Sequence, residues 1–267
     1  LFASAPAAAQ WSQDTLSQPR DFLAATTCGH KAFFAGGRNA FNQVSDVVDI
    51  YDADTSQCTV ASLLVPPYDL GGASCGDRVF FAGGADANAT KVYDVVDVYD
   101  CATDQWSQAS LSQARYWGTA TVARGKVFFA GGRKANGGPS KRVDIYDCAT
   151  GTWTTASLSV GRWSLASTSV GPYAIFAGGR TSAADSNVVD IYDCESDTWS
   201  SWTLTEARAL LAATTIGNLA LFAGGDPETG SSSAVVDVYD ASTGSWSTLP
   251  ELSEARHSAA AATVGNK

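Results

Sequence analysis

Apolar residues fall along this chain in runs of about four to six, separated by polar punctuation. VFFA, VVDVYD and TATVA are representative, rich in Val, Thr, Phe and Tyr and bounded by Gly, Asp, Asn or Ser. Runs of this length and make-up predict short strands joined by tight turns. No segment keeps the helical apolar period of about 3.6 residues over three turns. The pattern therefore predicts an all-β fold.

The runs return at fixed spacing. Phe-Ala-Gly-Gly begins at Phe34, Phe81, Phe129, Phe176 and Phe222, at separations of 47, 48, 47 and 46 residues. A VVDIYD-like segment follows each Gly pair and ends at Asp52, Asp100, Asp147, Asp193 and Asp240. Six residues later stand Cys58, Trp106, Trp153, Trp199 and Trp246. Leu63, Leu111, Leu158 and Leu204 follow, with Leu252 displaced by one after Pro250. Next come Pro67, Arg115, Arg162, Arg208 and Arg256, and each following Phe-Ala-Gly-Gly starts 14 residues on, as it does from Arg20 to Phe34. Each unit holds four strand-like segments, and four strands in about 45 residues is the mark of a propeller blade.

The recurrent residues have physical roles. The Gly pair admits positive φ or close approach of a neighbouring blade. Asp after Tyr, with Thr or Ser three residues on, predicts an Asx turn joining strands three and four. Tyr and Trp supply apolar area between blades. Gly-Gly, Tyr-Asp and Trp in this order and spacing resemble the kelch repeat. Five units match it, over 21–252, with Cys58 in place of Trp in the first. The resemblance implies a kelch-type β-propeller of four-stranded antiparallel blades. The blades are expected at about 21–63, 68–111, 116–158, 163–204 and 209–252. A sixth, incomplete blade is expected from 253–267 together with 10–20, closed by both termini. Trp11 and Leu16 match a fourth strand there and HSAAAATVGNK a first. Six blades is the expected count, with seven as the other possibility.

Charge narrows the partners. The formal net charge of −10 disfavours nucleic acid, which needs a basic footprint. No run approaches the roughly 20 apolar residues of a membrane span. Residues 1–9 end in Ala7-Ala8-Ala9 ahead of Gln10 and read as a signal-peptide remnant; a short strand or an Ala-rich tail is the other reading. Secretion would suit the six cysteines. Cys28 and Cys75 occupy equivalent places on adjacent inner strands, so a Cys28–Cys75 bridge is one expectation and buried thiols the other. Cys101, Cys148 and Cys194 share a turn position expected at the outer rim, too far apart to bridge each other. Asn88-Ala89-Thr90 is a glycosylation sequon in an expected loop.

Catalytic groups are sparse. His30 and His257 are the only histidines, so no metal site and no cofactor are expected. Asp49, Asp97, Asp144, Asp190 and Asp237 recur mid-strand, where polar partners in neighbouring strands explain them better than a calcium ion. Some kelch-like propellers are copper radical oxidases, and no residue set for such a site is present here.

The loops between strands two and three vary in length and sequence, as recognition loops do. In kelch proteins they share a face with the turns before strand one. Carried over, that face would hold Arg20, Arg38, Arg115, Arg133, Arg162, Arg180, Arg208 and Arg256, with Phe41, Tyr116, Trp117, Trp163 and His257. Arginine beside aromatic rings suits an acidic peptide or an anionic sugar. The arginines before strand one have a second reading, pairing with backbone or Asp between blades. The expected protein is a secreted binding scaffold for a protein or glycan, and further domains are compatible with the kelch resemblance. The alternative is a carbohydrate-active enzyme resembling the kelch-fold sialic acid epimerases or, less closely, galactose oxidase.

Overall fold

The computed structural model describes residues 14–228, 230–265 and 267, and every regular element among them is a strand. The expected signal remnant and Trp11 lie outside the described residues. Five antiparallel sheets of four strands follow one another along the chain. Blade 1 comprises β1 (Ala24–Cys28), β2 (Lys31–Ala35), β3 (Val47–Asp52) and β4 (Gln57–Ser62). Blade 2 comprises β5 (Gly71–Cys75), β6 (Arg78–Ala82), β7 (Val95–Asp100) and β8 (Gln105–Ser110). Blade 3 comprises β9 (Thr119–Ala123), β10 (Lys126–Ala130), β11 (Arg142–Asp147) and β12 (Thr152–Ser157). Blade 4 comprises β13 (Ala166–Val170), β14 (Tyr173–Ala177), β15 (Val188–Asp193) and β16 (Thr198–Thr203). Blade 5 comprises β17 (Ala212–Ile216), β18 (Leu219–Ala223), β19 (Val236–Asp240) and β20 (Ser245–Leu249).

In each blade the strands pair in chain order, and the first strands of successive blades pack side by side. The second and third strands are covered on both faces, so they read as nearly unbroken apolar runs. The fourth strands are largely exposed. Core clusters form between blades rather than within one. Phe33 of blade 1 meets Phe81 and Tyr99 of blade 2, and Phe128 of blade 3 meets Phe176 and Tyr192 of blade 4. This is why one unit cannot bury its faces alone.

The Gly pair does two jobs at once. Gly131 and Gly132 have φ of 66° and 104°, and a Cβ on Gly131 would stand 2.7 Å from the Arg162 carbonyl oxygen of the chain entering the next blade. Gly132 N–H donates to that same carbonyl at 2.8 Å. The Asx turns close as the spacing predicts: the Asp147 carboxylate accepts from the N–H groups of Ala149 and Thr150.

Around the axis runs a feature that the sequence did not announce. Phe22, Asp69, Trp117, Ser164, Leu210 and Ser258 all adopt φ of 53–55°, although none is glycine. Each N–H after the first donates to the carbonyl of the one before: Asp69 to Phe22, Trp117 to Asp69, Ser164 to Trp117, Leu210 to Ser164 and Ser258 to Leu210. The left-handed backbone costs about 1 kcal/mol or more per residue and persists because these bonds hold it. Ser258 takes the sixth place in this chain of bonds. Nearby, Thr263 shares a hydroxyl contact of 2.7 Å with Thr214, like that of Ser167 with Thr119 between blades 3 and 4.

The disulfides differ from the expected pairing. Cys28 bonds Cys101, and Cys75 bonds Cys148, with Cα separations of 6.6 and 6.3 Å. The turn cysteines are not at the rim. Cys101 N–H donates to Asp77 O, which places it beside the β5–β6 turn of its own blade and against the end of β1 in the preceding blade. Each bridge therefore ties one inner strand to the following blade. Cys194 is the third turn cysteine, and its Sγ lies 3.7 Å from the carbonyl of Ala123, which stands where Cys28 and Cys75 stand in blades 1 and 2. Cys58 and Cys194 are free thiols.

Candidate functional site

Backbone bridges bring the start of each second-to-third-strand loop against the residue before a left-handed position. Asp21 pairs with Arg38, Tyr68 with Ala85, Tyr116 with Arg133, Trp163 with Arg180 and Ala209 with Asp226. The variable loops and the turns before strand one thus share one face. The Asx turns occupy the opposite ends of the strands.

The predicted arginines separate into two groups. Arg20, Arg115, Arg162 and Arg208 turn inward, their side chains 0–3% exposed, and pair with Asp49, Asp144, Asp190 and Asp237. Arg162 also donates to the carbonyls of Gly178 (2.7 Å) and Val188 (2.6 Å). The same aspartates accept from backbone N–H groups leaving the previous blade, as Asp190 does from Ser159 at 3.0 Å. Burial pulls Arg162 below the usual arginine range, and Asp190 acts against that shift. These four guanidinium groups hold blades together and are not presented on the loop face. Pro67 stands at the corresponding place before blade 2. Asp97 there has only Leu64 N–H and the Gln108 amide as donors, and burial pushes its carboxyl up.

Arg38, Arg133 and Arg180 remain on the loop face. Arg38 lies over the rings of Phe22 (4.7 Å) and Tyr68 (5.1 Å) and donates to Asn42 Oδ1 at 2.9 Å. Arg133 lies between Trp117 (5.7 Å) and Trp163 (5.3 Å) and donates to Gly137 O. Tyr68 and Tyr116 join the two sets at a ring separation of 6.2 Å, and Tyr116 touches Trp117 at 4.9 Å. Blades 1 to 4 therefore share a continuous strip of rings and guanidinium groups. Phe41, 85% exposed, stands on the first loop apart from these stacks. Tyr116 itself is buried, so the strip rests on it without displaying it. Arg256 is exposed beside Glu254 at 3.6 Å, and His257 is exposed next to Ser258.

The fold recurs in known proteins. The family model of the KLHDC2/KLHL20/DRC7 Kelch-repeats domain matches residues 72–267. The chain belongs to the kelch-repeat family. A solved structure titled "Structure of YjhT" superposes with a TM-score of 0.70 at 15% identity, covering 91% of this chain and 87% of that one. At that identity the likeness concerns the kelch fold alone. No curated protein matches the chain.

Two features of the kelch face were not anticipated. The axial mouth, of about 310 Å³, is lined by the left-handed residues, including Asp69. Burial pushes the Asp69 carboxyl up to about 7, with Arg38 and a hydrogen bond with Trp117 pulling the other way. A second cavity of about 440 Å³ lies between the loops of blades 4 and 5 and is walled by Trp163, Arg180, Asp185, Asp226 and Glu228. Arg180, expected on the loop face as a ligand-binding residue, is paired there. Its Nε meets Asp185 at 2.9 Å and its Nη2 meets Asp226 at 2.5 Å, from adjacent loops.

Proposed function

We propose that this kelch propeller is a secreted, non-enzymatic scaffold that binds a protein or glycan through its loop face. One observation carries the reading. Arg38 and Arg133 are held in aromatic stacks on that face, with guanidinium edges not consumed by buried carboxylates. Stacked arginine is oriented before a ligand arrives, so less side-chain entropy is lost on binding. Such a group reads carboxylate or sulfate, which makes an anionic feature part of the ligand. The exposed Phe41 offers apolar contact beyond the strip. Two disulfides favour an oxidising compartment.

Glycan and peptide arrays probed with the chain, and again with Arg38→Ala and Arg133→Ala, test the reading. Each substitution is expected to weaken the selected ligand by about tenfold or more. Unchanged binding by both variants removes the proposal, and turnover of an arrayed sugar transfers it to the enzymatic alternative.

A further inference from the structure

We infer that Asn88 is the acceptor of an N-linked glycan that stands on the loop face at blade 2. This rests on the secreted part of the reading above, because the transferase and its donor sugar belong to a secretory compartment.

Asn88-Ala89-Thr90 is the one Asn-x-Ser/Thr sequence in the chain. The structure puts it at the tip of the loop between β6 and β7. Asn88 follows Gly84 at the same interval as Phe41 follows Gly37 and Asn136 follows Gly132. The three tips close alike: Asn42 N–H donates to Asn39 O, Ala89 N–H to Asp86 O and Gly137 N–H to Lys134 O. Phe41 shows where this position points, since it is 85% exposed. Asn88 is exposed too, and its side-chain amide makes no hydrogen bond among the described residues. Asn136, by contrast, ties its amide oxygen to Gly138 N–H at 3.1 Å.

The shape of the tip depends on Asp86 and not on Asn88. The Asp86 carboxylate accepts from Thr90 N–H at 2.7 Å and from the Thr90 hydroxyl at 2.6 Å, and Asp86 N–H donates to Lys91 O at 2.9 Å. A substituent on Asn88 Nδ2 therefore breaks no contact and projects into solvent, as a bulky polar modification requires. In the transfer, Asn88 Nδ2 attacks the anomeric carbon of an oligosaccharide carried on a polyprenyl diphosphate. The N–C bond forms as the C–O bond to the diphosphate breaks, the electron pair leaves on the polyprenyl diphosphate, and the amide gives one proton to a base of the transferase. The product would stand beside the binding strip: Asn42 Nδ2 donates to Ala87 O at 3.2 Å, and Asn42 Oδ1 accepts from Arg38. Blade 2 has Ala85 where blades 1 and 3 have Arg38 and Arg133, so the sugar would occupy the stretch of the face between those arginines.

The test directs the full chain into the secretory pathway of cultured human cells behind a cleavable signal peptide. The exported protein is treated with peptide N-glycosidase in heavy-oxygen water, and its peptides are weighed. Heavy-labelled Asp at position 88 is expected, with one downward shift on a gel. Asn88→Gln and Thr90→Ala are expected to abolish the shift, and Thr90→Ser to keep it. Asn88→Gln removes no bond, so its export with both disulfides formed is expected. Export with an unmodified Asn88, or a shift that survives Asn88→Gln, overturns the inference. Retention of the chain in the cells with its disulfides unformed removes the secreted reading and the glycan with it. Glycosylated protein whose array binding ignores Arg38→Ala and Arg133→Ala removes the binding reading and leaves the glycan standing.

Discussion

The junction of blades 1 and 2 and that of blades 3 and 4 come from the same repeat but are held by different chemistry. Between blades 3 and 4, Arg162 is fully buried, its side chain bonded to Asp190 and its backbone carbonyl to Gly132. Thr119 and Ser167 share a hydroxyl contact of 2.6 Å across the inner strands. Between blades 1 and 2, Pro67 replaces the arginine, Asp97 lacks a cation, and the Cys28–Cys101 bridge spans the gap. The junction of blades 2 and 3 has both devices, Arg115–Asp144 and Cys75–Cys148. The comparison teaches that the unit specifies a geometry, while the bolt at each joint can change.

The largest expected break is at the polar joint. Arg162→Met should destabilise by about 3–5 kcal/mol, because Asp190 is left buried without its cation. Chemical denaturation measures it. The same removal of charge where no arginine exists is expected to act oppositely. Asp97 has a raised carboxyl pKa, so its folded form holds a proton that the unfolded chain releases, and stability falls as pH rises above the usual carboxylate range. Asp97→Asn should therefore be neutral or slightly stabilising at pH 8, and a loss comparable with that of Arg162→Met would contradict the comparison.

Reduction of the two disulfides, each spanning 73 residues of chain, should cost about 4 kcal/mol each in the chain-entropy account, with increased hydrogen exchange confined to blades 1 to 3. Alkylation of the unreduced protein should label Cys58 and Cys194 only, and labelling of all six cysteines would contradict the bridges. Ala123→Cys sharpens the point, because it restores the missing partner of Cys194. A third bridge is expected to leave Cys58 as the single alkylated residue and to raise stability by up to about 3 kcal/mol.

A pH-dependent effect is expected at the axial mouth. Asp69 titrates near 7 in the fold against 3.8 as its reference value. Its contribution to stability is therefore greatest at low pH and declines as pH rises from about 4 to about 7. Asp69→Asn should flatten this decline and raise the melting temperature at pH 8 relative to the parent. An unchanged pH profile would remove the assignment.

How much of this was legible depends on whether a position constrains residue type. The Gly pair, Tyr and the turn Asp recur in all five blades and Trp in four, because few residues meet the demands of those positions, so the sheets and Asx turns could be read from spacing. The buried arginines were equally regular, but regularity could not tell a bolt from a ligand contact. Their partners settle it, since each Asp lies mid-strand 28 or 29 residues after its Arg. The left-handed series was silent, because Phe22, Asp69, Trp117, Ser164, Leu210 and Ser258 share a backbone shape and no side-chain character. The bridges were misplaced because the turn cysteines were put at the rim, whereas the backbone bond of Cys101 to Asp77 draws them inward. The carboxylates around Arg180 come from loops of unlike sequence, which no repeat predicts.

The central claim is that the repeat spends its constant residues on joints and leaves one face of the disc, the loop face, for recognition. Its most direct test is alanine scanning of both faces against one array-selected ligand. Arg133→Ala and Trp163→Ala on the loop face are expected to lose binding, while Thr150→Ala and Glu195→Ala on the Asx-turn face keep it. Loss confined to the Asx-turn face would contradict the account.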